Sequence, residues 1–519
     1  MVGWVSFLAY SWRSWSVLWF AMPVAVLLLL GLQDLFQRRH AIRRNFPLIG
    51  RLRYLFESIR PEIQQYFVES NESGRPFSRQ LRSLVYQRAK NETDTVPFGT
   101  EEDVYAVGYE WMNHSLMARH PPKEQPRIII GGNACKHPYS AAVLNVSAMS
   151  YGSLSVNAVR ALNLGAKLGG FYHNTGEGGL SSHHLCGGDV VWQIGTGYFG
   201  CRDADGRFDE KRFAERASHP NVKMIEIKLS QGAKPGHGGI LPAAKVTPEI
   251  SEIRGVPLGK DVISPPTHSA FSTPIGLCEL IGRLRELSGG KPIGFKLCVG
   301  KRREFLAICK AMIATQILPD FITVDGGEGG TGAAPLEFSN TLGTPLDEGL
   351  IFVHNALRGS GLRSQIRVIA SGRVMSGFDL AHHLAIGADV CNSARAMMFA
   401  LGCIQAQRCN TNRCPTGVAT QDPGLVAGLI VVDKSQRVAN FQRNTVRAFT
   451  ELLAAAGMEH PSELRPWHIM RRTGTTEVKH YGEMFEYLDP GALLRAPLPK
   501  SYARAWMAAT AESFVAATP

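Results

Sequence analysis

From about residue 140 onward, short apolar runs alternate with stretches whose apolar residues recur at helical spacing, and glycines gather where the apolar runs end. This alternation narrows the fold more than any other feature, because strand–helix units repeated in series build a parallel sheet. Strands are expected at Val143–Ala148, Gly170–His173, Met224–Leu229, Pro292–Cys298, Phe321–Val324, Arg367–Ala370 and Ala388–Cys391. Helices are expected over Ser155–Leu168, where Val156, Val159 and Leu162 form a stripe and Ser155 is placed to cap, and over Lys301–Gln316. A (β/α)8 barrel takes about 250 residues as one unit, so 519 residues accommodate one barrel with flanking pieces. Barrels carry their chemistry at the C-terminal strand ends. Polar residues and glycines collect there: Ser150-Tyr151-Gly152, Asn174-Thr175-Gly176-Glu177, Lys228, Lys296, Asp325-Gly326-Gly327 and Ser371-Gly372-Arg373.

The formal charge is +12. Much of the excess lies between residues 38 and 60, where seven arginines (38, 39, 43, 44, 51, 53 and 60) face one acid, Glu57. No nucleic-acid recognition motif accompanies them, so a nucleic-acid partner is not expected. The run follows the most hydrophobic segment of the chain, Ser14 to Gln33, which carries no charge and has Trp12, Trp15 and Trp19 towards one end. About 20 apolar residues at helical rise match a bilayer core. A retained transmembrane anchor over residues 1–36 is therefore expected; a cleaved signal peptide fits less well, lacking a basic start and a small-residue cleavage site. The arginines place the remainder in the cytoplasm, giving a single-pass protein of the inner (cytoplasmic) membrane. Residues 37–130 read as a helical N-terminal region, 131–430 as the barrel, and 431–519 as a helical extension.

Gly195-Thr196-Gly197-Tyr198-Phe199-Gly200 satisfies the dinucleotide fingerprint, but Cys201-Arg202-Asp203-Ala204-Asp205-Gly206 then forms a turn where a helix is required. A Rossmann site is rejected. Gly326, Gly327, Gly329, Gly330 and Gly332 lie within seven residues behind a buried strand, a density suited to backbone amides converging on phosphate. Lys296 stands inside the apolar strand Gly294-Phe295-Lys296-Leu297, where an ammonium is costly unless it meets an anion. Cys403, Cys409 and Cys414 are spaced x5 and x4 and followed by Pro415. Three close cysteines suit a soft metal or an iron–sulfur centre, whereas zinc favours tighter pairs and four ligands.

The run Cys403-Ile404-Gln405-Ala406-Gln407-Arg408-Cys409-Asn410-Thr411-Asn412-Arg413-Cys414-Pro415-Thr416-Gly417-Val418-Ala419-Thr420-Gln421 resembles the cluster-binding loop of glutamate synthases. Ser150-Tyr151-Gly152-Ser153-Leu154-Ser155, Asn174-Thr175-Gly176-Glu177-Gly178-Gly179, Ile225-Glu226-Ile227-Lys228, Gln231-Gly232-Ala233-Lys234-Pro235-Gly236, Ile263-Ser264-Pro265-Pro266 and Gly329-Gly330-Thr331-Gly332 resemble that family too, in its order, over roughly residues 130–450. The resemblance implies an FMN-binding (β/α)8 barrel with a 3Fe–4S cluster ligated by Cys403, Cys409 and Cys414. It implies flavin contacts from Ser150, Thr175, Lys296, Gly329, Gly330, Thr331, Gly372 and Arg373, and an oxoacid site formed by Glu177, Lys234 and Arg254. Lys234 and Arg254 suit a dicarboxylate on charge alone.

Two residues depart from the family pattern. The substrate loop reads Lys234-Pro235-Gly236-His237-Gly238-Gly239-Ile240, where the family has glutamate at 237 and glutamine at 240. Neither the family's glutaminase domain nor its C-terminal β-helix is expected. The implied activity is reduction of an imine, formed from a 2-oxoacid and ammonia or an amine, with electrons from ferredoxin or a reductase subunit. Two alternatives stay open: an amino-acid or N-alkylamino-acid dehydrogenase feeding a membrane acceptor, and a non-catalytic electron-transfer subunit.

Overall fold

The structure, a computed structural model, describes residue 19 and residues 21–516. It divides into two compact units, residues 1–79 and 80–519. In the first, a helix over residues 21–36 is followed by short and long helices at Ala41–Asn45 and Ile49–Ile63, the latter running into a wider π-type turn at Gln64–Val68. Asp34 holds the elbow between them. Its fully buried carboxylate accepts from Arg43 at 2.6 Å, Arg51 at 2.7 Å and the Leu48 amide at 3.1 Å. The membrane span expected at Ser14–Gln33 is not found among the described residues, where no helix is long and apolar enough to cross a bilayer. Residues 14–18 and 20 of that span lie outside the described residues.

The second unit is built on a closed, all-parallel eight-stranded barrel. Its strands are β1 (Leu144–Val146), β2 (Tyr172–Asn174), β3 (Asp189–Ile194), β4 (Val222–Lys228), β5 (Ile293–Leu297), β6 (Phe321–Asp325), β7 (Arg367–Gly372) and β8 (Val390–Ser393). Seven match strands expected from the sequence; β3, directly before the rejected fingerprint, is the addition. Helix α1 (Val156–Gly169) starts where Ser155 Oγ accepts the Ala158 amide, as its N-cap chemistry predicts. An antiparallel hairpin, Arg127–Ile130 with Tyr139–Ala142, packs Ile130, Tyr139 and Ala141 against Tyr172, Val191, Met224, Phe321, Ile369 and Val390 of the barrel strands. This apolar plug closes the N-terminal end and leaves the chemistry to the other.

Around the barrel lie α2 (Leu346–Gly359), α3 (Gly377–Ala385), α4 (Arg395–Leu401) and the long α5 (Val431–Ala455), which packs along α1. The stretch 37–130 is helical only as far as Lys90, and the expected helical extension at 431–519 is helical chiefly in α5. Glu110–Met112 instead pairs antiparallel with Ile469–Arg472, which pairs in turn with Val478–His480. Short strands that find partners hundreds of residues away leave no local periodicity to read.

His382 of α3 ties this outer sheet to the barrel. Its Nδ1 lies 3.2 Å from Glu110 and its Nε2 lies 3.2 Å from Asp347 of α2. With both ring nitrogens facing carboxylates, the ring is an imidazolium. Burial opposes that charge, but Asp347 and Glu110 outweigh it and lift the ring to about 10.

Candidate active site

The register of the barrel determines what meets at its C-terminal mouth. Lys228 ends β4 directly beside Lys296 of β5, and Lys296 in turn neighbours Thr323 of β6. Two adjacent ammonium groups repel, and each is met by its own acid. Lys228 Nζ donates to Glu177 Oε1 at 2.6 Å, and Lys296 Nζ lies 3.2 Å from Asp325. Lys296, a strand lysine that needs an anion, is 6% exposed and ion-paired with Asp325.

Glu177 leaves the loop after β2. Burial disfavours its charge, but Lys228, Arg254 and Lys234 together outweigh that and hold the carboxyl below its ordinary value. The first glycine of the rejected fingerprint acquires a purpose here. A Cβ at Gly195, or at Gly239 of the substrate loop, would land on the Glu177 carboxylate. The turn is therefore a niche for an acid, and no cofactor phosphate is needed to explain it.

Lys234 and Arg254 arrive on the long excursion between β4 and β5. Burial and the Lys228 charge push the Lys234 ammonium down to about 8. Arg254, at the end of the helix Pro248–Arg254, is 5% exposed, and burial lowers it to about 10. Its guanidinium donates to the Tyr151 carbonyl at 2.9 Å and lies 5.1 Å from the Phe199 ring centre, while its Nε is buried without a hydrogen-bond partner. Glu177, Lys234 and Arg254, expected together from the sequence, do meet.

Ser150 opens a tight turn, its carbonyl accepting the Ser153 and Leu154 amides at 3.1 and 3.0 Å. The Thr175 hydroxyl donates to the Gly176 carbonyl and accepts the Gln193 amide, fastening β2 to β3. The loop bearing Gly329, Gly330 and Thr331 lies against two others. A Cβ at Gly330 would overlap the Arg395 guanidinium of α4, and one at Gly332 would sit 3.1 Å from Cys409. Lys234 Nζ reaches the Ala333 carbonyl at 3.5 Å. Gly372 ends β7 with Arg373 next to it, and the charge of Arg373 acts on both Glu328 and Arg395. Arg395, at the head of the helix after β8 and against Gly330, is not among the residues expected from the sequence.

Cys403, Cys409 and Cys414 sit on the loop leaving α4, all with free thiols. Burial raises Cys403 to about 12 and also raises Cys409, each further raised by neighbouring members of the trio. The three are not drawn together as for one ion. Among the described residues, only Asp347, His382 and His383 place ligand atoms within 4.8 Å of one another, and His382 is already engaged as a cation. Lys245, 3% exposed, stitches the thiol loop in place, donating to the carbonyls of Cys409 at 2.8 Å, Ala419 at 3.0 Å and Ser153 at 3.3 Å. Gln421 adds bonds to the Gly152 and Leu154 carbonyls.

Below the mouth lies a carboxylate to which the sequence assigned no role. Glu226, 1% exposed, accepts from Asn174 at 2.8 Å, Gln193 at 2.6 Å and Thr323 at 2.6 Å. The signal was a lone acid in the strand Met224-Ile225-Glu226-Ile227.

A conserved region in glutamate synthase matches residues 113–459. The chain belongs to the glutamate synthase family. The glutamate synthase large subunit-like protein YerD of Bacillus subtilis is 37% identical over 493 residues, covering 87% of this chain and 94% of that protein. The archaeal glutamate synthase [NADPH] of Methanocaldococcus jannaschii is 37% identical over 322 residues, 62% of this chain and 60% of the relative. The glutamate synthase [NADPH] large chain of Bacillus subtilis is 31% identical over 351 residues, which is 21% of its length. A crystal structure of mandelate oxidase overlaps at 15% identity with a TM-score of 0.40, over 77% of this chain and 98% of that one, too loosely to bear on chemistry. As a glutamate synthase-family protein, this chain is an oxidoreductase acting on CH–NH2 donors.

Proposed function

We propose that this glutamate synthase-family barrel reduces an imine, formed from a 2-oxoacid and ammonia or an amine, to the amino acid. One observation carries the reading. The cation pair Lys234 and Arg254, the Lys228–Glu177 ion pair and the glycine loop converge on one mouth, and that glycine loop touches the cysteine loop.

The residues fit FMN and an iron–sulfur cluster. Gly330 and Gly332 leave no room for a side chain between Arg395 and Cys409, as a backbone-lined anion cradle requires. Thiols bound to a single zinc ion would lie about 3.8 Å apart, given a Zn–S bond near 2.3 Å. The three thiols do not all lie within 4.8 Å of one another, and three cysteine ligands are the number the 3Fe–4S type takes. FMN would be held by Gly329, Gly330, Thr331, Gly372, Arg373 and Arg395, with Lys296 near its ring, and when bound it would supply hydride, with the cluster as electron inlet.

The chain's own groups do the rest. Lys234 and Arg254 bind and orient substrate carboxylate. Glu177, held ionised, accepts from Lys228 Nζ and fixes it at the mouth, where Lys228 Nζ is the group that in this reading donates to the imine nitrogen. The Ile240 side chain offers no hydrogen bond in the substrate loop, its backbone being paired with Ile263, and this favours a 2-oxoacid other than 2-oxoglutarate. Reduced ferredoxin or a reductase subunit is the electron donor in this reading. The N-terminal apolar segment holds the protein at the cytoplasmic membrane, with the barrel in the cytoplasm.

The test is anaerobic purification with iron and flavin analysis and EPR, followed by assay of 2-oxoacids with ammonium and dithionite or reduced ferredoxin. FMN, a 3Fe–4S signal lost in Cys409→Ser, and amino-acid formation support the proposal. A flavin- and iron-replete protein that turns over none of these mixtures overturns it.

A further inference from the structure

The helix Ile49–Ile63 buries only Gly50. Ile49, Leu52, Phe56, Ile59 and Ile63 repeat at three- and four-residue steps and so share one face, and all are exposed, from 38% at Ile59 to 72% at Ile49. The same side of the sequence continues through Tyr66, Phe67 and Val68, with Phe67 84% exposed. A stripe of large apolar side chains facing water neither stabilises an isolated helix nor stays uncovered.

Charge identifies the cover. Arg53 and Arg60 fall on one border of the stripe, and Arg38, Arg39, Arg43 and Arg44 precede it. Glu57 is the single acid from residue 38 to residue 60, and it pairs with Arg53. An apolar face edged by arginines is the pattern of a helix lying in the headgroup plane of an anionic bilayer. A protein groove would need acids matched to each arginine; a sheet of lipid phosphates needs no register. The elbow at Asp34 holds this helix in fixed relation to the helix over 21–36, which itself exposes Met22, Leu28, Leu29 and Phe36.

We propose that Ile49–Val68 is an interfacial membrane helix that docks its apolar stripe among acyl chains and its arginines on anionic lipid headgroups. This rests on the membrane placement given above but is separable from it. The experiment is hydrogen–deuterium exchange by mass spectrometry on the full chain with vesicles of phosphatidylcholine alone or with phosphatidylglycerol. Amides of residues 49–68 are expected to slow by about tenfold or more on the anionic vesicles, to recover in high salt, and to slow less in Phe56→Ser/Ile63→Ser. Arg53→Gln/Arg60→Gln should reduce the preference for phosphatidylglycerol. Protection of residues 14–33 with none at 49–68 overturns the interfacial helix and keeps the anchor. Protection of neither overturns both. Protection of 49–68 without lipid, rising with protein concentration, replaces the bilayer by a second copy of the chain and overturns the proposal.

Discussion

Lys228 and Lys296 stand at one level on adjacent strands, and the ions around them determine what the mouth of this barrel attracts. With Glu177 and Asp325 engaged by these lysines, Lys234 and Arg254 supply the positive potential. Lys234 titrates near 8, so its charge is present below that pH and lost above it. For a carboxylate substrate, KM should climb by up to about tenfold per pH unit above pH 8, with kcat less affected. Lys234→Arg should move that limb upward, which pH-resolved steady-state kinetics will register. The niche around Glu177 gives a second expectation. Gly195→Ala places a methyl on the carboxylate and should cost about 1–3 kcal/mol of stability, together with most of the activity. Gly300→Ala meets nothing within 4 Å and should leave both near the original. Paired thermal melts and assays distinguish the two.

Elements bring these residues together, and here the sequence was legible unevenly. Seven barrel strands, the Ser155 cap and the grouping of Glu177, Lys234 and Arg254 could be read because each rests on local pattern or on a motif. Asp189–Ile194 is hidden in the sequence by the glycines after it, which mimic a fingerprint although the first of them, Gly195, clears space for Glu177. The roles of Glu226 and Lys245 are not legible locally, since they lie in partners 97 and 164 residues away. Glu226→Ala would strand the donors of Asn174, Gln193 and Thr323 inside the barrel, and should cost about 3 kcal/mol or more in urea unfolding. Lys245→Met removes three bonds that hold the thiol loop. It should lower iron per chain and speed iron loss to a chelator, and Lys245→Arg should recover part of the retention.

At the scale of the whole second unit, His382 joins the outer sheet to the barrel, with Tyr481 and Arg471 also bonded to Glu110, and with His383 and Asp347 alongside. Its folded value, about 10, lies above the ordinary histidine value of about 6.5. Its contribution is therefore complete below about pH 6.5 and disappears as pH rises through about 10. The melting temperature should fall across that window, and His382→Gln should flatten the slope while costing about 3–5 kcal/mol at pH 7. The clamp also has a consequence in time. Arg471, in the strand that pairs with Glu110–Met112, lies 361 positions after Glu110. At about 5–20 residues per second on the ribosome, the earlier strand waits roughly 20–70 s with an open edge. A nascent chain stalled before residue 469 would carry that edge and a half-built histidine clamp, making it a natural target for chaperones and for quality-control proteases.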